Sequence, residues 1–229
     1  VIPPLVSCVC LTRNRPRFLA KSIELFQAQT YPHKELIIVD SGEQQIELPN
    51  DPQVHRLRFT LPFPHAELYR NGWNAANGEY LATWDDDDWH GPERLARTIA
   101  KLEESKADAV GLTPIMVFTG RAPVFAQWKP STIQKWHDDG GRWLPCSDNA
   151  IVWRQSASQH ARLFADTIGH FRRMYDAGAK FDRIDNDGLF VYVRHSDAIW
   201  KFDPNELCDP IPRPAWIPDD MVEFWRGVQ

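Results

Sequence analysis

The sequence predicts an α/β fold, a mostly parallel sheet flanked by helices, and three observations predict it. Two apolar runs near the beginning are separated by a helical spacing, a third apolar run at Tyr80–Trp84 ends in four acids, and strand-like runs keep alternating with helical ones to about residue 195. Leu5–Leu11 is an apolar run of strand length that stops at Thr12-Arg13-Asn14-Arg15-Pro16. Asn14 reads as a helix cap and Pro16 suits a first helical turn. Phe18, Leu19, Ile23 and Phe26 then recur at helical spacing through Gln29, and Tyr31-Pro32 breaks the helix. Glu35–Asp40 is a second strand, stopped by Ser41-Gly42. Strand, helix, strand at this spacing is a crossover unit, which implies parallel pairing.

The following elements continue the pattern. Gln53–Phe59 reads as a short strand with Leu57 and Phe59 inward, and Leu61–Pro64 as a stiff connector. Ala66–Asn77 reads as a helix with Tyr69, Trp73 and Ala76 on one face, ended by Gly78. Tyr80–Trp84 is a buried strand, and Pro92–Ser105 an amphipathic helix through Leu95, Ile99 and Leu102. Ala109–Phe118 is strand-like but interrupted at Pro114, which favours an edge or a bulge.

The chemistry concentrates at Asp85, Asp86, Asp87 and Asp88, directly after the third strand. Four adjacent acids repel one another, so a positive partner is expected there. Alternation along an extended chain places Asp85 and Asp87 on one side and Asp86 and Asp88 on the other. Hard divalent cations such as Mg2+ or Mn2+ take oxygen ligands of this kind, together with substrate phosphates. An acidic run is ordinarily a solvated loop, but Trp84 and Trp89 bracket this one and argue for a walled cleft. A calcium EF-hand loop needs an acid at its fifth position and Gly at its sixth, where this chain has Trp89 and His90. In open α/β sheets ligands bind beyond the carboxyl ends of the strands. That rule puts Thr12–Arg15, Asp40 and Asp85–Asp88 on one rim.

Beyond Thr119 the periodicity weakens. The stretch 120–145 carries Trp128, Trp136 and Trp143, aromatics that suit stacking on sugar rings if exposed, although Trp is more often core. Cys146–Arg154 reads as a strand entered through the turn Ser147-Asp148-Asn149. Ala157–Phe164 and Thr167–Ala177 read as helices, with Asp166 between them as a cap. Asp182, Asp185 and Asp187 fall in a polar, turn-rich linker, and Leu189–Arg194 is a last strand-like run ending at His195. From Asp203 onward the prolines exclude regular structure apart from a turn at Met221–Trp225, leaving a tail that packs across the sheet or acts as a lid.

Composition bounds the function classes. At 229 residues and 43 % hydrophobic the chain can bury one sizeable core, and a net charge of −5 gives no support to non-specific nucleic-acid binding. No apolar stretch reaches the roughly 18 residues of a membrane span, and no signal peptide is visible. Position 1 is Val, so a native start is expected to be missing. The four cysteines lack zinc spacing; Cys8 and Cys10 share one side of a strand, as buried reduced thiols. A cytoplasmic chain, or one peripheral to a membrane, fits these features.

The acidic run resembles the strand-end DxD segment of the family 2 glycosyltransferases: an apolar strand, D-x-D-D, an aromatic, then P-x-x-L, with Asp85, Asp87, Asp88, Trp89, Pro92 and Leu95 in those places. Thr12–Pro16 resembles the family's T-x-N-R-P, and Leu68–Trp84 its R-N-x-G-x-x-x-A-x-G-E-Y approach. Val39-Asp40-Ser41-Gly42 keeps only the first acid of V-D-D-G-S, and Ala165-Asp166 only the second of the family's E-D pair, with Gly178 at the usual distance. The resemblance implies a GT-A-like, Rossmann-like domain over 1–203, its nucleotide-sugar half at 1–118 and acceptor half at 119–203, followed by a proline-rich tail at 204–229. It implies that Thr12 and Asp40 bind base and ribose, that Arg13, Asn14, Arg15, Arg70, Asn74, Trp84, Asp85 and Asp86 complete the donor site, and that Asp85, Asp87 and His195 ligate Mn2+ or Mg2+. It implies Asp166 as catalytic base, with Trp143 and Asp148 on the acceptor side. The implied reaction moves a monosaccharide with inversion from a UDP- or GDP-sugar to a hydroxyl of a glycan, lipid-linked sugar, protein or hydroxylated DNA base. A nucleotidyltransferase would carry a Gly-rich, Lys-containing loop after the first strand, and Thr12–Pro16 has neither. A non-catalytic sugar-binding module is the third reading, favoured by the two missing acids.

Overall fold

The computed structural model of the chain describes residues 2–60, 63–120, 125–131, 150–160, 167–195 and 203–227. The apolar runs pair into a seven-stranded sheet ordered β10 (Phe181–Asp185), β6 (Ala109–Thr113), β9 (Ile151–Arg154), β4 (Tyr80–Thr83), β1 (Val6–Thr12), β2 (Lys34–Asp40) and β3 (Val54–Arg58). Within it β1 is flanked in parallel by β2 and by the central strand β4, with β3 parallel to β2 at the edge. Strand alternation divides the core. Val6, Cys8, Cys10, Leu36 and Ile38 face α1 (Pro16–Gln27) and α3 (Arg94–Ser105), meeting Leu19, Ile23, Phe26, Leu95, Ile99 and Leu102. Val9, Leu11, Ile37 and Val39 face α2 (His65–Ala75), meeting Leu68, Tyr69 and Trp73. Cys8 and Cys10 are buried free thiols on one side, and burial pushes the Cys8 thiol up to about 12.

Helix α1 opens as its Pro16 dictates, but Asn14 is not its cap. Arg15 stands at the cap position, and its side chain makes no capping hydrogen bond. Asn14 adopts φ 53°, a left-handed conformation that Asn tolerates. Its Oδ1 accepts from the backbone N–H groups of Glu43 and Gln44 at 2.8 and 3.2 Å, tying the loop after β1 to the loop after β2.

The second half departs from expectation at Pro114. Neither strand beside it is an edge: β6 (Ala109–Thr113) lies between β9 (Ile151–Arg154) and β10 (Phe181–Asp185), while β7 (Met116–Phe118) belongs to a second sheet. That five-stranded sheet runs β12-β8-β7-β11-β5, from β5 (Trp89–His90), β8 (Phe125–Trp128), β11 (Phe190–Val193) and β12 (Cys208–Pro210). The expected linker around Asp182 is β10, paired in parallel with β6. Its polar residues are surface groups, Asp182 being ion-paired to Lys101 at 3.1 Å. Helix α4 (Thr167–Asp176) ends at Gly178, whose φ of +91° needs glycine.

The tail carries more regular structure than the single helical turn expected at Met221–Trp225. Pro210 closes an edge strand paired only to β8, where a missing N–H costs nothing. Pro218 directly precedes α5 (Asp219–Arg226). Met221, Val222 and Trp225 of α5 pack against Phe118, Phe125, Val191 and Val193, so this part of the tail lies across the smaller sheet. Among the described residues no helix is long and apolar enough to cross a membrane.

Candidate active site

Because β1, β2 and β4 are parallel, their carboxyl ends share one rim. Thr12 and Asp40 are register partners there. The N–H of Trp84 still donates to the Val9 carbonyl at 3.1 Å, and beyond it the chain bends through Asp86–Asp88. That bend overturns the expected alternation of the four acids. Asp86 alone turns back onto β1, accepting from the Thr12 hydroxyl at 2.6 Å and pairing with Arg15 at 2.7 Å. Asp85, Asp87 and Asp88 instead converge, each offering a carboxylate oxygen within 4.8 Å of the others.

Each converging acid is held by a different element. The Tyr69 hydroxyl on α2 donates to Asp85 Oδ1 at 2.7 Å. Arg15 bonds Asp87 Oδ2 at 2.6 Å, and His195 Nε2 lies 2.9 Å from the same oxygen. The N–H of Val193 on β11 donates to Asp88 Oδ1 at 2.8 Å. Burial, then the neighbouring Asp87 charge, pushes the Asp86 carboxyl well above the usual range. Burial opposes ionisation of Asp87 too, but the His195 hydrogen bond and the Arg15 charge outweigh it and hold this carboxyl below its ordinary value. Two carboxylates at 4.8 Å repel by roughly 3 kcal/mol at an effective dielectric near 20. The cluster therefore favours a cation, and an all-carboxylate set converging on one point fits a hard divalent ion. Adjacent ligands of an octahedral ion at about 2.0–2.1 Å stand roughly 3 Å apart, so the His195–Asp87 spacing is compatible with a shared ion as well as with a hydrogen bond.

A buried polar unit supports the bend from below. Arg94, fully buried in the first turn of α3, donates to the Thr83 carbonyl at 2.8 Å and to His90 Nδ1. A guanidinium only donates, so Nδ1 is the acceptor and Nε2 carries the proton it gives to the Asp85 carbonyl at 3.1 Å. Burial, with Arg94 beside it, holds His90 well below its ordinary pKa and hence neutral. Trp84 is part of this floor: it is completely buried, stacks on His90 at 3.8 Å and donates to Ser22 at 2.9 Å. Trp89 stacks on Trp216 of the tail at 5.2 Å. Neither tryptophan walls a cleft: Trp84 continues the alternation of Tyr80 and Ala82 into the core, and Trp89 packs with the residues of α5, so Trp84 is removed from the expected donor contacts.

The remaining site residues are placed unevenly. Asp40 is completely buried; its Oδ1 accepts from the Gly42 N–H at 2.9 Å, and Oδ2 has no partner. Arg70, half-buried on α2, has an unpartnered Nε. Arg13, Asn14 and Asn74 are exposed. Asp166, Asp148 and Trp143 lie outside the described residues. Sequence reasoning missed Tyr69, His90 and Arg94 as site-builders. The signals available were the spacing of four between His90 and Arg94, and Tyr69 on the helix face that also carries Trp73.

A mostly parallel α/β sheet whose rim gathers Asp40 and a DxD-type acid cluster has the architecture of the GT-A glycosyltransferases. The chain belongs to glycosyl transferase family 2, whose model matches residues 7–160, more than half of the chain. Among its relatives is EpsE of Bacillus subtilis, provisionally named a glycosyltransferase, 28 % identical over 76 % of this chain and 64 % of EpsE. Staphylococcus aureus TarS, solved in complex with UDP-GlcNAc, superimposes with a TM-score of 0.67 at 12 % identity, covering 88 % of this chain and 62 % of that one. The mannosyltransferase PcManGT of Pyrobaculum calidifontis, solved with GDP-Man and Mn2+, gives a TM-score of 0.59 at 14 % identity over 93 % of this chain and 59 % of its own. These two likenesses are of fold. The chain spans less than two thirds of each of the three proteins.

Proposed function

We propose that this chain transfers a monosaccharide from a UDP- or GDP-sugar to an acceptor hydroxyl, with inversion and with Mn2+ or Mg2+ as cofactor. The observation that carries the reading is the convergence of Asp85, Asp87 and Asp88 on the rim where Thr12 and Asp40 end their strands. Proteins of the same fold hold UDP-GlcNAc, or GDP-Man with Mn2+, which supports a diphosphate donor and a divalent ion. When bound, the ion offsets the charge that develops on the diphosphate leaving oxygen. Asp85, Asp87 and Asp88 would hold it, joined by His195.

The chain's own groups do the rest. Thr12 and the unpartnered oxygen of Asp40 take the base and ribose. Arg15 and Arg70 face the diphosphate, since a guanidinium fork matches phosphate oxygens, with Arg13, Asn14 and Asn74 around the donor. Asp166 accepts the acceptor's proton as its oxygen attacks the anomeric carbon from the face opposite the leaving group. The new C–O bond forms, the bond to the diphosphate breaks, and a nucleoside diphosphate departs. Trp143 and Asp148 are assigned by the family resemblance to acceptor binding, and the acceptor offers a hydroxyl of a glycan, lipid-linked sugar or protein, in the cytoplasm or at a membrane surface. Incubation with a panel of UDP- and GDP-sugars and Mn2+ tests this. Nucleoside diphosphate release from one donor, abolished by Asp87→Ala, is expected; no release from any donor, with or without acceptors, would leave only a sugar-holding module.

A further inference from the structure

The carboxylate cluster already contains a counter-ion that belongs to the chain. The Arg15 guanidinium forks across two acids, one nitrogen 2.7 Å from Asp86 Oδ1 and another 2.6 Å from Asp87 Oδ2, with 20 % of its side chain accessible. Its backbone is anchored on both sides, by the left-handed Asn14 tied to Glu43 and Gln44 and by Pro16 at the start of α1. The guanidinium does not lose its proton, so this positive charge is permanent. The two acids it bridges have different roles. Asp86 is also held by Thr12 at 2.6 Å and lies outside the converging set. Asp87 is a member of that set, and its Oδ2 is shared between Arg15 and His195.

A divalent ion among Asp85, Asp87 and Asp88 therefore competes with Arg15 for one carboxylate and repels it. Asp86 is left as the pivot that keeps the guanidinium at the rim. We propose that Arg15 is an ion-displaced clamp: it neutralises Asp87 while the cluster lacks a divalent ion, and ion binding frees one arm of the fork for the donor's diphosphate. This rests on the metal-dependent reading above. It adds that the ion prepares the donor site in two ways, by its own charge and by releasing an arginine. Linkage makes the effect reciprocal: a nucleoside diphosphate that engages the freed arm tightens the ion by the same factor.

A rigid strut would give the opposite sign. If Arg15 only preorganised the carboxylates, its removal would weaken ion binding; if it competes, removal tightens it. The test titrates wild type, Arg15→Gln and Arg15→Lys with Mn2+ alone, following the free-ion resonance, and then with UDP and GDP by calorimetry at saturating Mn2+. Arg15→Gln is expected to bind Mn2+ about tenfold tighter and the nucleotide about tenfold weaker, within the usual range of such couplings. Arg15→Lys keeps the ion pair to Asp86 and should fold as wild type; it is expected to bind Mn2+ no more weakly and the nucleotide several-fold more weakly, since a point charge cannot fork. Weaker or unchanged Mn2+ binding in Arg15→Gln, or wild-type nucleotide affinity in Arg15→Lys, overturns the clamp while leaving the metal site standing. Absence of any Mn2+ binding by wild type overturns both.

Discussion

Gly72 is where the packing of α2 makes a quantitative demand. A Cβ at this position would lie 2.4 Å from Val9 Cγ1 and 2.9 Å from Val39 Cγ2. Both valines are completely buried in central strands and have no room to yield. Ordinary carbon contacts are about 3.5–4.0 Å, so in Gly72→Ala the helix must retreat by about 1 Å. Overpacking of this kind costs about 1–3 kcal/mol, offset by roughly 1 kcal/mol because Ala is the better helix former. The net loss of up to about 2 kcal/mol corresponds to a melting point lower by up to about 8 °C in a chain of this size. The shift also carries function, because α2 brings the Tyr69 hydroxyl to 2.7 Å from Asp85. A retreat of about 1 Å takes that pair beyond hydrogen-bond range, and Mn2+ affinity should fall several-fold with it. Thermal melting and Mn2+ titration read the two effects. Val9→Ala reopens the space, so the double variant should lose less than the sum of the single losses. A Gly72→Ala protein that melts at or above wild type, or strict additivity in the double variant, would refute the reasoning.

Three further outcomes are expected. Asp166→Asn keeps a side chain able to cap α4 but removes the proton acceptor, so melting and donor binding should match wild type while transfer falls by roughly 10²–10⁴-fold; wild-type transfer would reduce Asp166 to a cap. His195→Gln retains a donor for Asp87 but not an imidazole, and should weaken Mn2+ by about tenfold or more; unchanged affinity in the titration would make His195 a hydrogen-bond partner only. Glu103 is held below its ordinary value near 4.5 by the Tyr80 hydroxyl, against burial and with Arg154 assisting. A lowered carboxylate pKa stabilises the fold above the unfolded value and ceases to as the pH falls through the folded one. The stability gap between wild type and Glu103→Gln in urea should accordingly be present at pH 7 and shrink as the pH falls below about 4.5; a gap independent of pH would contradict it.

The first half of the fold was legible because its signals are local. Val6–Thr12 and Lys34–Asp40 are buried at every position, so their centres, Cys8–Leu11 and Leu36–Val39, read as apolar runs, and Pro16 marks the helix start between them. The second half depends on partners distant in sequence. Trp89–His90 is a strand only because Phe190 and Val191 pair with it, and Cys208–Pro210 only because Ala126–Trp128 does. Prolines suppress a helix or an interior strand, but not an edge strand or a helix that begins after Pro218, so the tail looked irregular. The acid cluster was legible from charge density alone. What it lacked in the sequence was the bend at Asp86–Asp88, which sends Asp86 to Thr12 and gathers Asp85, Asp87 and Asp88. The buried Arg94–His90 pair beneath that bend is marked only by its spacing of four, in a stretch that reads as an ordinary charged helix start.

The central claim is that the Asp85–Asp88 rim binds a nucleoside diphosphate through a divalent ion. Calorimetric titration of the wild-type chain with UDP and GDP, in Mn2+ and again in EDTA, tests it most directly. The account expects one nucleotide to bind in Mn2+, with affinity lost in EDTA. Equal affinity in both conditions would contradict it.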